Sequence, residues 1–274
     1  MKNTVKKIVI PVVIAAIIIV ICFSCGRASA DNRDMFVRIW ESFTLAFIEN
    51  DGWVMLLNGL LATVLLTAIT LMLGFILGTA VFVLIYCGNK IADVVFKWVR
   101  RFLITLPFTT FLFICFYLLF IRSMDRPMIA AGFALTVLWA STVCSALLLA
   151  TDRVPKGQAE AAQAMGYTRM QTLRYIIMPQ AMPGIMELFE DEMVSHMKET
   201  SVVGMISAID LQKAIDIITL KTSEPAMPII VVSVMYLLLG FLLVSLARRM
   251  GRISLSRNRS SEKILSDVKK GVLG

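Results

Sequence analysis

Long stretches without charged residues dominate this chain. A helix needs about 20 apolar residues to cross a bilayer, and four stretches meet that length: Ile8–Gly26, Phe102–Ile121, Pro127–Thr151 and Pro225–Ala247. A fifth stretch, Gly52–Asn89, is longer than one span needs, and we place its helix at about Leu57–Tyr86, tilted or projecting beyond the bilayer. The pattern predicts an all-α polytopic membrane protein.

A sixth apolar segment, about Met182–Ile206, differs from the others because it carries several charged residues. We keep it as a span because the sidedness of the flanking loops requires a crossing there. On a helix, Glu192, His196 and Glu199 share one face. Charges at membrane depth either line a cavity or hold a helix near the inner interface, and the sequence leaves both alternatives open. The prediction is therefore about six transmembrane helices, an N-terminal anchor plus a five-helix core.

Lys and Arg are distributed unevenly between the two sides of this six-span arrangement. With the N-terminus inside, 19 of these residues fall on the inner side and 7 on the outer side, while Lys198 lies within the charged segment. Positive charge accumulates in cytoplasmic loops. Both termini are therefore predicted to be cytoplasmic.

The segments flanking the core give four predicted regions. Residues 1–30 form an N-terminal anchor or, alternatively, a cleavable signal peptide, because Lys2, Lys6 and Lys7 precede the apolar run and Ala28-Ser29-Ala30 follows it. Residues 31–56 form an external segment whose aromatic spacing fits either an interfacial helix or a loop packed on the spans. Residues 57–248 form the transmembrane domain, and residues 249–274 form a basic cytoplasmic tail.

Composition agrees with this class and removes several others. Hydrophobic residues make up 58% of the 274 residues and charged residues 17%, whereas soluble domains have roughly 45–50% and about 25%. The formal charge of +8 fits cytoplasmic basic loops better than nucleic-acid binding. Five cysteines and one histidine, His196, do not form a pattern that would hold a metal.

The inner loop between the fourth and the charged span has an unusually clear local pattern. Pro155 is a helix-starting residue, and the Ala-rich stretch Gln158–Met165 favours a helix. Gly166 suits a left-handed cap, and Thr168 with Gln171 has capping-box spacing. We expect a second short helix that ends at Pro179, which gives a compact helix–Gly–helix element on the cytoplasmic face.

This loop resembles the EAA loop of ABC importer permeases. The residues that carry the resemblance are Glu160, Ala161, Ala162, Gly166, Ile176 and Pro179, with Met178 at a position where that family usually has Leu. The resemblance implies a coupling-helix loop that inserts into a groove of a separate cytoplasmic ATPase subunit. It also implies that this chain is a non-catalytic subunit that binds no cofactor, since ATP is used by the partner.

Further motifs resemble the polar amino acid branch of these permeases. They are Leu57–Val64, Val154–Gln158, Pro179–Ala181, Lys198–Val202 and Ile209–Leu211. The resemblance implies a second permease subunit, alike or different, and an external solute-binding protein that delivers a polar amino acid. It also implies a location in the inner (plasma) membrane of a bacterial cell. Together with the charged face of the sixth segment, the match at Lys198–Val202 makes Glu192, Lys198 and Thr200 candidates for the substrate path. Two departures, at Ile104–Pro107 and Cys144–Ala146, put the amino acid preference in doubt.

Other function classes have less support. The chain has no phosphate loop of the GxxxxGK[ST] type, no HExxH and no GxSxG. An ABC permease for another small solute is the main alternative, and an ion-coupled secondary transporter, whose charged span would relay ions, is a weaker one. A scaffold or sensor would need an output domain that the sequence does not supply.

The predicted topology can be tested by cysteine labelling from outside the cell. Engineered cysteines near Asp125 and Thr219 should react with an impermeant reagent, whereas cysteines near Lys156 and Ser256 should not, because the membrane separates them. Labelling at Lys156 from outside would contradict the six-span arrangement. Whether the mature chain begins near Asp31 distinguishes the signal peptide from the anchor.

Overall fold

The computed structural model describes residues 40–41, 43–49, 52–119, 126–223 and 227–249, and these contain helices and turns without a strand. The helices are α1 (Gly52–Tyr86), α2 (Lys90–Thr105), α3 (Phe108–Ile114), α4 (Pro127–Asp152), α5 (Lys156–Ala164), α6 (Arg169–Thr172), α7 (Met178–Glu199), α8 (Leu211–Thr222) and α9 (Met227–Arg249). Short π-helical segments cover Thr44–Glu49, Cys115–Leu119 and Leu173–Ile177, and a 3-10 helix covers Thr200–Ile206. The predicted first span and the basic tail beyond Arg249 lie outside these residues.

Three helices in the described part of the chain are long and apolar enough to cross a membrane. They are α1, α4 and α9, and the bent pair formed by α2 and Phe108–Leu119 adds a fourth if it is one broken span. The prediction of an all-α polytopic membrane fold is confirmed. Helix α7 carries too many charges to meet the same criterion, so its crossing stays a prediction.

Helices α1 and α4 form the central contact of the fold. Gly74 and Gly78 of α1 face α4 so closely that a methyl group at Gly78 would lie 2.5 Å from the Ala140 carbonyl oxygen. The indole of Trp139 packs against Gly74, and its N–H donates to the Leu71 carbonyl at 3.0 Å. Small residues let two helices approach closely, which is how helices associate where water does not drive them together.

The apolar run Phe102–Ile121 is not one straight helix, so that predicted span is corrected. Helix α2 starts earlier, where the Asn89 side chain accepts from the backbone N–H groups of Ile91 and Ala92. It ends at Thr105, because Pro107 disfavours the helical conformation of the preceding residue. The chain turns by 115° before α3.

The prediction that Pro179 ends the second cytoplasmic helix is wrong. Helix α6 continues through the π-helical segment Leu173–Ile177 directly into α7, and Pro179 lies in the first turn of α7. A proline removes one backbone N–H donor from a helix, and Pro179 stands directly after the π-helical turn, where the i→i−4 bonding pattern is already interrupted and the Met178 N–H donates to the Leu173 carbonyl. The charged helix therefore begins at Met178 rather than Met182, and its last predicted turns are the 3-10 helix Thr200–Ile206.

The described part of the external segment is helical and packed on the spans. Trp40, Phe43, Phe47 and Trp53 form a chain of ring contacts with centroids 4.9–6.0 Å apart. Phe47 is buried in a cluster with residues of α1, α8 and α9. Trp40 is largely exposed, so one end of this aromatic chain faces the surroundings, as in an interfacial segment.

The close approach of α1 and α4 predicts opposite results for two Gly→Ala substitutions. Gly78→Ala should destabilise the fold by about 1–3 kcal/mol, because the added methyl group collides with backbone and Val143. Gly132→Ala is the matched control on α4: its methyl group would meet only Leu66, at an ordinary 3.7 Å. It should stabilise by up to about 1 kcal/mol through helix propensity. Thermal unfolding in detergent measures both, and equal effects would contradict the packing argument.

Candidate functional site

The helix–Gly–helix element that the sequence predicts is present at the end of α4. Helix α5 ends at a turn in which Gly166 has φ +89°, a conformation that favours glycine. The Thr168 hydroxyl then accepts from the Gln171 N–H at 3.3 Å, and the Gln171 side chain accepts from the Thr168 N–H at 2.9 Å. The predicted left-handed glycine and the predicted capping box are both confirmed.

The residues of the EAA pattern divide into an exposed set and a packed set. Glu160, Ala161 and Gly166 are exposed, and a Cβ at Gly166 would meet nothing within 4 Å. Ala162 is buried, while Ile176 and Pro179 are half-buried against the helix bundle. One side of the element therefore holds it to the spans and the other side is open to a partner. The binding roles of these six residues stay predictions.

The open side of this inner element, residues 156–177, carries apolar side chains. Met165 is 69% exposed, and Tyr167, Met170 and Tyr175 are also exposed. Exposed apolar side chains within one short cytoplasmic segment agree with a contact to a partner protein. The element is also tied to the turn between α1 and α2, where the Arg169 guanidinium donates to the Cys87 carbonyl at 3.3 Å.

A cavity of about 530 Å³ lies between α2, α4 and α7. Its polar lining consists of Arg100, Ser141, Thr142, Ser145, Asp152 and Glu192. A guanidinium, two carboxylates and three hydroxyls in one cavity present partners for both charged groups of a zwitterion. Few convergent polar groups in a largely apolar pocket are typical of small-molecule sites.

Of the three substrate-path candidates, only Glu192 lines this cavity. Lys198 is exposed elsewhere on α7. Thr200 is fully buried, and its hydroxyl donates to the Met197 carbonyl at 2.7 Å. The structure therefore does not bring the three side chains together, and their roles stay predictions.

Arg100 lines the cavity but is not among the site residues that the sequence predicts, because it precedes the apolar run Phe102–Ile121 and is counted only among the inner basic residues. The sequence contains features that predict a helix through Arg100: Asn89 is a capping residue, and Asp93 with Lys97 has the i,i+4 spacing of a helical ion pair. That pair forms at 2.7 Å. Together these features extend a helix from Lys90 into the apolar run and turn Arg100 toward α4.

The motif Ile209-Asp210-Leu211 forms the junction between α8 and α1. The Asp210 carboxylate accepts from the Lys213 N–H at 2.8 Å, and the Thr63 hydroxyl accepts from the Leu211 N–H at 2.9 Å. Asp210 is fully buried in a loop outside the membrane-crossing helices. Burial raises the pKa of its carboxyl to about 6, against the opposing effect of the hydrogen bond from Lys213.

Comparisons with known proteins cover most of the chain. Residues 71–252 match the family model of the binding-protein-dependent transport system inner membrane component. The chain is 27% identical over 190 residues to the probable glutamine ABC transporter permease protein GlnM of Bacillus subtilis, covering 69% of this chain and 88% of that protein. It is 33% identical over 97 residues to the putative glutamine transport system permease protein GlnP of Rickettsia bellii, covering 35% and 44%.

The fold has a solved counterpart. A crystal structure of an amino acid ABC transporter with histidines contains a chain that matches with a TM-score of 0.65 at 22% identity. The match covers 82% of the present chain and 99% of the other. At this identity the match establishes the shared fold.

The raised pKa of Asp210 predicts how stability changes with pH. Between pH 3.8 and about 6 the unfolded chain ionises this carboxyl while the folded chain keeps it neutral, so stability falls as pH rises, by at most about 3 kcal/mol. Asp210→Asn keeps an acceptor for the Lys213 N–H and removes this dependence. Unfolding midpoints of both proteins in detergent from pH 4 to pH 7 test this: the wild-type midpoint minus that of Asp210→Asn should fall between pH 4 and about pH 6 and then level off. A constant difference would contradict the argument.

Proposed function

The chain belongs to the family of binding-protein-dependent transport system inner membrane components, and on that premise we propose that it is the permease subunit of an ABC importer for a polar amino acid. The observation that carries this proposal is the exposed inner element, residues 156–177. It is a short, capped helical hairpin with an open apolar side, at the end of two helices that cross or enter the membrane region.

The inner element is suited to pass a force into the membrane. Helix α6, the π-helical segment and α7 are continuous, so a displacement of the element moves the base of α7. Helix α7 bears Glu192 in the cavity. ATP-driven closure of two ATPase subunits bound at this element would therefore tilt the wall of the cavity. Helix α7 would then be the two-state element whose position depends both on the ATPases at the inner element and on the molecule in the cavity.

The cavity between α2, α4 and α7 is the proposed section of the translocation path. Arg100 would bind the carboxylate of an amino acid and Glu192 its ammonium group, because each places an opposite charge in a partly apolar space. The relatives GlnM and GlnP are named for glutamine, which supports a polar amino acid as the solute. Lys198 and Thr200 are kept as candidates for other stages of the path.

The main alternative, another small solute, has a specific observation in its favour. Ile104, Ser145 and Ala146 all line the cavity, and they belong to the two segments where the sequence departs from the polar amino acid pattern. The residues of this chain therefore differ from the polar amino acid pattern at positions that a transported molecule would contact. An ion-coupled carrier that works without an ATPase is the weaker alternative, and the same experiment tests it.

The proposed assembly contains this chain, a second permease subunit of the same or a different kind, two cytoplasmic ATPases and an external solute-binding protein. The basic residues of the inner element, Lys156, Arg169 and Arg174, agree with a cytoplasmic location of that face and with both termini inside. We assign residues 57–248 to the permease domain, after the anchor of residues 1–30 and the external segment of residues 31–56. Residues 249–274 form the tail.

Two substitutions in the inner element test the proposal. Ala161→Arg places a long charged group on the open side, and Gly166→Val strains a turn with φ +89° by about 1–3 kcal/mol and turns α5 away. Both should abolish co-purification of the ATPase and ligand-stimulated ATP hydrolysis in proteoliposomes. Insertion should stay normal, because no span is altered.

Leu220→Arg is the control for adding a charged group at an exposed position. Leu220 is 80% exposed on α8, on the side of the fold opposite the inner element by the predicted topology, so the ATPase should stay bound. Full ATPase binding and stimulation in both test variants would remove the main support for an ABC permease. Uptake without any ATPase would favour the ion-coupled carrier.

A further inference from the structure

Helix α2 has an apolar side that the fold covers only in part. Its buried residues are Phe96 and Leu103, which hold it to the packed interior. A second group of apolar side chains, spaced by four, three and four residues, is exposed and forms what we call the α2 stripe: Ile91, Val95, Trp98 and Phe102. Ile91 is 77% exposed and Trp98 71%. This spacing puts the four side chains on one face of the helix, so the stripe is a continuous apolar surface.

A basic groove runs beside the α2 stripe. It has a volume of about 550 Å³ and is lined by Asp93, Lys97, Trp98, Arg100, Arg101 and Leu148, among others. Three basic groups there face one carboxylate, and Asp93 is already paired with Lys97 at 2.7 Å. The Lys97 side chain is 70% exposed, so a ligand reaches the groove directly from the surface. Arg100 also lines the cavity between α2, α4 and α7 and is assigned to it.

The path of the chain places α2 across the membrane direction. Helix α2 meets the segment Phe108–Leu119, which contains no charged residue, at a bend of 115°. The two segments therefore cannot both follow the membrane normal, and the uncharged one is suited to enter the membrane. The ring of Phe102 lies 6.3 Å from that of Phe111, so the stripe is continuous with this segment. The bond from Arg169 to the Cys87 carbonyl ties the start of α2 to the inner element, on the predicted cytoplasmic side.

An anionic lipid matches both the stripe and the basic groove. Helices that lie in a membrane interface combine Trp and Phe on one face with Lys and Arg on the other. The cytoplasmic surface of a membrane is anionic and attracts basic residues close to it. A second copy of this chain, whose formal charge is +8, would instead bring like charge to the groove. The core of a protein–protein contact is also depleted in Lys.

We propose that α2 lies in the inner membrane interface, where the α2 stripe is embedded at the acyl boundary and Lys97 and Arg101 bind the phosphate of an anionic phospholipid. Arg101 presents a planar guanidinium that can donate to two phosphate oxygens, and Lys97 adds a point charge one turn away. Their methylene groups stay beside the stripe while the charged ends reach the headgroup. This inference uses the membrane location and the predicted sidedness of the chain, and it does not rest on transport of an amino acid.

Trp98 reports directly on this arrangement. The full-length chain and its Trp98→Phe variant are placed in nanodiscs, and the difference between their fluorescence spectra gives the emission of Trp98. The discs contain phosphatidylcholine with a minor fraction of phosphatidylglycerol. Equal mole fractions of one lipid or the other carry bromine near the headgroup end of the acyl chains, where bromine quenches an indole that it contacts. The relative binding constant from this quenching should favour phosphatidylglycerol by about tenfold, because each basic residue attracts the anionic lipid.

Substitutions separate the groove from the overall charge of the chain. Arg101→Gln should lower the preference for phosphatidylglycerol by about fivefold. Lys97→Gln should act in the same direction by a smaller factor, because Asp93 already neutralises part of its charge. Lys221→Gln is the matched control: Lys221 is exposed on α8, so the net charge changes equally while the groove is unaltered, and the preference should stay. Inorganic phosphate at constant ionic strength should also leave the preference unchanged.

Three outcomes would overturn the proposal. The first is Trp98 emission that neither brominated lipid quenches, as expected if a protein partner covers the stripe. The second is equal quenching by both lipids, which would mean that the helix contacts lipid without an anionic site. The third is loss of the preference on addition of inorganic phosphate, which would make the groove a site for a free anion. The measurement needs no ATPase, binding protein or solute, so its failure is separate from a failure of the proposed permease function.

Discussion

The contact between α1 and α4 is the constraint on which the rest of the structure depends. It requires Gly74 and Gly78, because any side chain there would collide with α4. The close approach places Trp139 against α1, and Trp139 in turn packs on Phe189 and His196 of α7. Helix α7 thus takes its position from the pair. Interiors are close-packed, so a change at this contact is transmitted to α7 and is not absorbed locally.

Helix α7 connects the inner element to the cavity that is proposed as a section of the translocation path. Its base is continuous with the inner element, and its middle and end carry Glu192, His196 and Glu199. A polar group inside a membrane protein is expensive unless it has a partner or faces a cavity. Glu190 meets this condition through an ion pair with Arg248 of α9 at 2.9 Å, and Glu192 meets it by lining the cavity. Glu190 and Glu192 are therefore stabilised in different ways, one by an ion pair and one by the cavity, although they are close in sequence.

The inner element shows a similar division between attachment and exposure. Ala162 and Ile176 pack toward the bundle, while Glu160 and Ala161 face outward. The small side chains of α5 allow both contacts within one short helix. A rigid link between the element and α7, in place of a flexible loop, is what a transmission of force requires, and the unbroken helical path through Leu173–Ile177 provides it.

The sequence by itself determined the helical class, the approximate positions of the three apolar spans α1, α4 and α9, and the local conformation of the inner element. These depend on interactions between residues near in sequence: runs of apolar side chains, a capping box at Thr168 and Gln171, and a glycine that takes a positive φ. The same local reasoning was wrong at Pro179, where the preceding π-helical turn allows the helix to continue. It was also wrong at Phe102–Ile121, because this run is apolar throughout although the helix ends before Pro107.

Only the tertiary structure decided which polar groups meet. Arg100 and Glu192 are 92 positions apart and share a cavity, whereas Lys198 and Thr200, close to Glu192 in sequence, do not reach it. The pairing of His196 with Thr70 joins residues 126 positions apart. Hydropathy and periodicity assign residues to a face of a helix, but the partner of that face depends on how small residues such as Gly74 and Gly78 let whole helices approach one another.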